Sequence, residues 1–338
     1  MLTPPKSWQV PGSHWQSIIT NPWYYHLAVI TSELHRALED QFSSNGFLRI
    51  AVPLTTGSIS SPVAPSSDSL PVQVSICGAP TYLADSMQFA LELACRIHPQ
   101  GVYYISPSFR GEPTDQLHLP QFVHAEIELH APLSSTVALC NRVLHDVTRR
   151  LRDQCGASIQ SLAGTLAHIE AFLALAQDVP AVPMADAARW AQAQESTLTT
   201  LGPDGVVMLT RAGERAVVDH FGRAEALWLT AFDDLAVPFY QALDSTGKAI
   251  NADLLLGRRE TIGAGQRHVT RAELLAALQR QHVSPTGYEW YLDLRDSAPM
   301  LTSGMGLGTE RYLMWLLRQD DIRDVTVFYR ENGLTVSP

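Results

Sequence analysis

The sequence predicts an α+β fold, and three observations carry that prediction. Residues 121–130, QFVHAEIELH, alternate apolar and polar side chains over the length of a strand. Residues 251–268 read as a hairpin, with glycines at 257, 263 and 265. In contrast, residues 23–42 and much of 131–250 carry helical patterning, the latter rich in Ala and Leu.

In chain order, a Trp- and Pro-bearing arm over 1–20 precedes a helix over 23–42, where Leu27, Ile30, Leu34 and Leu38 keep helical spacing. Phe47–Leu54 reads as a strand, and Pro53 within it marks an edge or a subunit boundary. Residues 57–71 are Ser- and Pro-rich and read as a loop too short to separate domains. A helix over Asp85–Cys95 and a strand over Val102–Arg110 follow, then a polar loop, Gly111–Leu117, and the alternating strand. Beyond the 251–268 hairpin, a helix is expected over 271–281, a strand over GYEWYLDLR, and a Gly-rich entry into a helix over 309–318. There is no internal repeat.

Composition narrows the function classes. The 338 residues are 46% hydrophobic and 17% charged, which permits a large core and argues against disorder. Twenty-four basic against 34 acidic residues give a net charge of −10, which argues against broad coating of nucleic acid. No apolar run approaches the ~20 residues a membrane span needs. The opening MLTPPKSWQVPGSHWQ has no apolar signal core, so a cytoplasmic protein is expected. Cys77, Cys95, Cys140 and Cys155 are too few and too dispersed for a disulfide framework or a CxxC zinc site.

Three constellations carry chemistry. On the strand 121–130, Val123, Ala125, Ile127 and Leu129 point one way, and Phe122, His124, Glu126, Glu128 and His130 the other. The polar face is either the solvated side of a half-buried sheet or a surface on which Glu126 and Glu128 meet a cationic ligand. On the hairpin, Asp253 and Glu260 can oppose each other as oxygen ligands for Mg²⁺, with Arg267 able to clamp an anion; an ordinary charged turn that includes Arg258 and Arg259 is the alternative. The run Gly304-Met-Gly306-Leu-Gly308 can expose backbone N–H groups to phosphate at a helix entry, or serve close packing. It is not a dinucleotide fingerprint, and the sequence has no GxSxG, HExxH or Walker motif.

Taken together and in order, these segments resemble the catalytic domain of class II aminoacyl-tRNA synthetases, nearest the asparaginyl and aspartyl branch. ISPSFRGE with the downstream HLPQF is similar to the family's second motif, and DLLLGRRETIGAGQR to its magnesium hairpin. YEWYLDLR, SGMGLGTER and IRDV are similar to its third motif. The resemblance runs from about Phe47 to Arg330, with a poorly matching middle over 131–250. It implies an arm and helix over 1–46, then one catalytic domain over 47–338: an antiparallel sheet flanked by helices, a homodimer through the Pro53 region, and an ATP-dependent, AMP-forming ligase. It places Arg110 on the α-phosphate, Glu112 near the adenine, Phe122 stacked on it, and His118 and Arg311 on the triphosphate. It makes Asp253 and Glu260 the Mg²⁺ carboxylates. Ser86, Gln88 and Glu126 hold the substrate ammonium, and Arg267 and Gln121 face its side chain.

The resemblance also exposes departures. Leu117 stands for an arginine, Ser61 for a glutamate, Gly265 for a serine, Thr302 for a histidine and Gln121 for a glutamate. Leu91 stands where aspartate-specific members place a lysine. About 46 residues precede Phe47, too few for the anticodon-binding barrel usual in these enzymes, and with the acidic balance this makes tRNA a doubtful partner. The expectation is therefore a stand-alone ligase that adenylates an Asp- or Asn-like amino acid and passes the acyl group to ammonia or a small amine. Acylation of tRNA or another macromolecule is the alternative, and a non-catalytic amino-acid- or ATP-binding regulator the third reading.

Overall fold

The computed structural model describes residues 1–60, 69–202, 205–257 and 259–335. Ser61 and Arg258 lie outside the described residues. The strands are β1 Leu48–Arg49, β2 Thr55–Thr56, β3 Val72–Ile76, β4 Ala79–Leu83, β5 Val102–Phe109, β6 Gln121–Leu129, β7 Ala181–Pro183, β8 Thr199–Leu201, β9 Val207–Leu209, β10 Ala226–Thr230, β11 Asn251–Leu256, β12 Glu260–Gln266 and β13 Ser303–Gly308. The α-helices are α1 His14–Thr20, α2 Pro22–Ser44, α3 Gln88–Ala94, α4 Leu133–Ala163, α5 Ala167–Leu173, α6 Met184–Gln194, α7 Arg211–Phe221, α8 Arg271–Arg280, α9 Glu289–Ser297 and α10 Thr309–Leu316.

One eight-stranded sheet organises the chain, in the order β1-β5-β6-β13-β12-β11-β10-β7. Every pairing from β5 to β10 is antiparallel, and only the edge strands β1 and β7 run parallel to their neighbours. The antiparallel sheet flanked by helices is therefore the observed architecture. The middle of the chain, read from sequence as mainly helical, also supplies β7 and β10 to this sheet.

The helical layer forms for local reasons. Asn21 caps α2 by accepting the Trp23 N–H, Pro22 opens it, and Trp23, Leu27, Ile30, Leu34 and Leu38 bury one stripe. α4 runs 31 residues and stops at Gly164, whose φ of 76° suits glycine. Its buried stripe, from Leu139 through Val143 and Val147 to Ile159, shares a core with α2 and with Ala125 and Ile127 of β6.

Two sequence expectations change. GYEWYLDLR is a helix, α9, not a strand: Tyr291, Leu292, Leu294 and Arg295 are buried, and Tyr291 and Leu292 join a cluster with Leu274 and Leu278 of α8. The Phe47–Leu54 strand shrinks to β1, and the chain then leaves the main sheet to form β2 against β4.

Candidate active site

The centre of the sheet is a floor of glycines between acidic walls. Pairing across four strands sets Glu126, Gly306, Gly263 and Asp253 in one row, and Glu128, Gly304, Gly265 and Asn251 in a second. At about 4.8 Å per strand, Glu126 and Asp253 stand ~14 Å apart with nothing but backbone between them. The Gly304–Gly308 run is thus a strand of the floor that leads straight into α10, with Gly308 at the helix N-cap. A Cβ at Gly304 would lie 2.0 Å from Glu128 Oε2 and 2.4 Å from Gln88 Nε2, so only glycine lets those side chains lie over the sheet.

Above this floor is a cavity of about 380 Å³. It gathers Ser86, Gln88, Arg110, Glu112, His118, Phe122, Glu126, Asp253, Glu260, Arg267 and Arg311. Of the residues that the resemblance assigned to ATP, Mg²⁺ or the amino acid, Gln121 is the one that does not line it. Gln121 sits opposite Phe109 at the start of β6, and strand alternation turns it away from the face that Phe122, His124 and Glu126 present.

At one group of residues the arrangement suits a nucleotide. The Arg110 guanidinium carbon lies 5.3 Å from the centre of the Phe122 ring. Arg110 Nε is buried with no partner among the described residues, a donor left over for an anion. Glu112 accepts from the Leu70 N–H at 3.2 Å and from the Ser69 hydroxyl. His118 donates from Nδ1 to the Asp115 carboxylate, 2.9 Å away. Arg311 donates to the Glu260 backbone carbonyl at 3.0 Å and stands 3.6 Å from its carboxylate.

The second group suits an amino acid. Glu126 is buried and accepts from Ser86 Oγ at 2.7 Å and Tyr104 Oη at 2.5 Å. Burial raises its carboxyl to about 7 in spite of those hydrogen bonds. His124 lies 3.2 Å from Glu126, but burial, reinforced by Arg110 and Arg311, pushes its imidazole down to about 3, so the contact is not an ion pair near neutral pH. Arg267, 3% exposed, forks onto Glu128, 0% exposed, at 3.2 and 2.9 Å. Gln88 adds a third donor to Glu128. The strand face that could have been solvated is therefore buried at Glu126 and Glu128 and open to solvent at His130.

The third group is acidic. Asp253 and Glu260 flank Gly263: a Cβ built there would be 3.7 Å from one carboxylate and 3.4 Å from the other. Burial, then the charges of Glu260 and Glu214, hold the Asp253 carboxyl far above its usual range. Two oxygen donors on a rigid hairpin beside a phosphate-sized cavity fit a hard divalent cation shared with a substrate. A metal bound by His124, Glu128 and His130 finds no support. Glu128 is held by Arg267, His130 bonds the Leu301 carbonyl, and no cluster of three such groups is found among the described residues.

Sequence reading missed several participants. Tyr104 reaches Glu126 from the neighbouring strand, Glu310 accepts the Val123 N–H, and Glu214 approaches the hairpin from α7. Burial raises the carboxyls of Glu214 and Glu310 to about 7. Of the departures, Leu117 and Gly265 line the cavity, whereas Leu91 and Thr302 are fully buried outside it.

Comparison with known proteins agrees with this geometry. Residues 15–332 match the family described as tRNA synthetases class II (D, K and N). The asparagine–tRNA ligase of Thermoplasma acidophilum is 26% identical over 310 residues, 89% of this chain and 68% of that protein. The probable cytoplasmic asparagine–tRNA ligase of Vairimorpha ceranae is 30% identical over 266 residues, 74% of this chain and 56% of that protein. The chain thus spans a little over half to two thirds of the length of these relatives. Among solved structures, asparaginyl-tRNA synthetase from Pyrococcus horikoshii with asparaginyl-adenylate superposes with a TM-score of 0.87 at 22% identity, covering 99% of this chain and 74% of that one. These findings correct two expectations. Relatives named for tRNA displace ammonia or a small amine as the acceptor, and tRNA is no longer a doubtful partner. The expectation went astray because net charge is a whole-molecule quantity, while nucleic-acid contact is local.

Proposed function

Because this chain belongs to the class II tRNA synthetases (D, K and N), a family of ATP-dependent, AMP-forming ligases, we propose that it activates asparagine with ATP and transfers the asparaginyl group to tRNA. The observation that carries this reading is the row Glu126–Gly306–Gly263–Asp253, which separates an ammonium-binding acid from phosphate-side acids by bare backbone. An amino acid and a triphosphate can meet over that gap with no side chain in the way.

In this reading the α-carboxylate oxygen of asparagine attacks the α-phosphorus of ATP, the phosphoanhydride bond breaks, and pyrophosphate leaves. A ribose hydroxyl of the terminal tRNA nucleotide then attacks the carbonyl carbon of the adenylate, its proton passes to an oxygen of the adenylate phosphate, and AMP leaves with the bond electrons. Arg110 stabilises charge on the α-phosphate oxygens, Phe122 stacks on the adenine, and Glu112 reads its edge. His118 and Arg311 hold the rest of the triphosphate. Asp253 and Glu260 would hold Mg²⁺, which supplies charge neutralisation on the phosphate oxygens when bound. Glu126 with Ser86 receives the ammonium, while Gln88 braces the pocket through Glu128.

Choice of asparagine follows from charge. Arg267 is already neutralised by Glu128, so the pocket offers no spare cation to a substrate carboxylate. A neutral amide costs far less to desolvate there than an aspartate side chain. The Vairimorpha ceranae relative carries a cytoplasmic designation, and a cytoplasmic site of action accords with it; no helix among the described residues is long and apolar enough to cross a membrane.

The test is ATP–pyrophosphate exchange with Mg²⁺ across asparagine, aspartate and lysine, followed by charging of tRNA with labelled asparagine. Exchange with asparagine and label in tRNA are expected. Silence across the panel, or adenylation with no transfer to any tRNA, would overturn the reading.

A further inference from the structure

The loop joining β5 to β6 forms one wall of the cavity through Glu112, Leu117 and His118. Its conformation is built around one carboxylate. Asp115 Oδ1 accepts the backbone N–H groups of Leu117 at 2.7 Å and His118 at 2.9 Å, and it also meets His118 Nδ1 at 2.9 Å. Asp115 Oδ2 is left for a distant partner: Arg211 Nη2, 2.5 Å away, on the first residue of α7. Burial works against the Asp115 charge, but the Arg211 and Leu117 hydrogen bonds outweigh it and hold the carboxyl at about 2.

Arg211 is itself exposed and absent from the cavity wall; its hydrogen bond to the wall runs through Asp115, while its charge also bears on Glu214. With Asp115 ionised, the proton on His118 Nδ1 is fixed by the carboxylate, and Nε2 is the ring nitrogen open to a ligand. The same helix carries Glu214 one turn on, facing Glu260 and Asp253. α7 therefore bonds the loop through Arg211 and bears electrostatically on the acidic hairpin through Glu214.

We propose that Arg211 is a positioning residue for the nucleotide: through Asp115 it latches the 111–118 loop and fixes the ring of His118 against the triphosphate. This rests on the ATP-dependent reading above. It assigns the loop a second cation, delivered from another part of the chain, beside the apolar Leu117.

The experiment compares the full chain with Arg211→Ala, Arg211→Lys, Asp115→Asn, His118→Ala and the double variant Arg211→Ala/His118→Ala. Mg–ATP affinity is read by calorimetry, and pyrophosphate exchange gives KM for ATP and for asparagine with kcat. Losing the latch should raise Kd and KM for ATP about tenfold, the scale on which a supporting contact to a site residue acts. KM for asparagine and the melting midpoint should hold, and Arg211→Lys should recover part of the loss. Arg211→Ala should add nothing in the His118→Ala background. Unchanged ATP affinity in Arg211→Ala, or a further loss in the double variant, would overturn the latch. If the parent chain binds Mg–ATP without exchange, the functional reading fails while calorimetry still judges the latch. If it does not bind Mg–ATP, both fall.

Discussion

Arg267 and Glu128 meet in a two-point fork at 3.2 and 2.9 Å, with Glu128 fully buried and Arg267 nearly so at the edge of the cavity. A pair this deep contributes little to stability on balance, since desolvation offsets its attraction, but removing one partner strands the other. On the proposed asparagine reading its effect is on specificity: it neutralises the Arg267 charge that an aspartate side chain would otherwise meet.

The first prediction follows. Glu128→Gln keeps the shape and leaves Arg267 uncompensated, so the preference for asparagine over aspartate should fall at least tenfold, about 1.4 kcal/mol. The ratio of kcat/KM for the two amino acids in pyrophosphate exchange measures it.

Arg110 stands over Phe122 with a free Nε donor. Arg110→Ala should slow adenylate formation by about 10²–10³, or ~3–4 kcal/mol of barrier, with the melting curve unchanged. Normal exchange by this variant would remove Arg110 from the reaction.

Glu126 gives a pH dependence with a definite sign. Its carboxyl sits at about 7 because it is buried, and only its ionised form attracts an ammonium. KM for asparagine should therefore fall as pH rises through about 7 and level off above it. Glu126→Gln should have a high KM that no longer changes across that range.

The acidic hairpin predicts a stability profile. Glu214 is raised from 4.5 to about 7 and Asp253 well above its usual range, both chiefly by burial, so the folded chain holds protons that the unfolded chain would release. Their contribution is complete below about 4 and is lost as pH climbs through about 7. Melting of the ligand-free chain should fall over that interval, and Mg²⁺ with ATP should reverse the fall. Asp253→Asn should raise the melting midpoint at alkaline pH by ~2 °C, about 1 kcal/mol for a chain of this size, while abolishing exchange.

Much of this was legible because the informative signals are local. Alternation along 121–129 set out both faces of β6, and the glycines at 257, 263 and 265 announced the β11–β12 hairpin. What escaped is non-local or ambiguous. EWYLDLR is short and apolar enough to fit either period, and only packing on α8 decides for a helix. ALWLT of β10 is a five-residue strand embedded in an Ala- and Leu-rich stretch, where a strand and a buried helix turn look alike. Arg211 is 96 residues from Asp115, so no spacing rule connects them. Gln121 followed from motif matching, yet strand parity puts it on the other face.

The two glycines of the inner row differ in what they would tolerate. A methyl group at Gly304 collides with Ile127 backbone and with the buried Glu128–Gln88 pair, whereas at Gly265 it meets the amide end of Gln241, which can swing away. An engineer seeking to load a different amino acid onto RNA thus has one hinge of freedom and one fixed point. Diversity belongs at Gly265 and Gln241, and a library that randomises Gly304 spends its members on chains whose central sheet no longer closes.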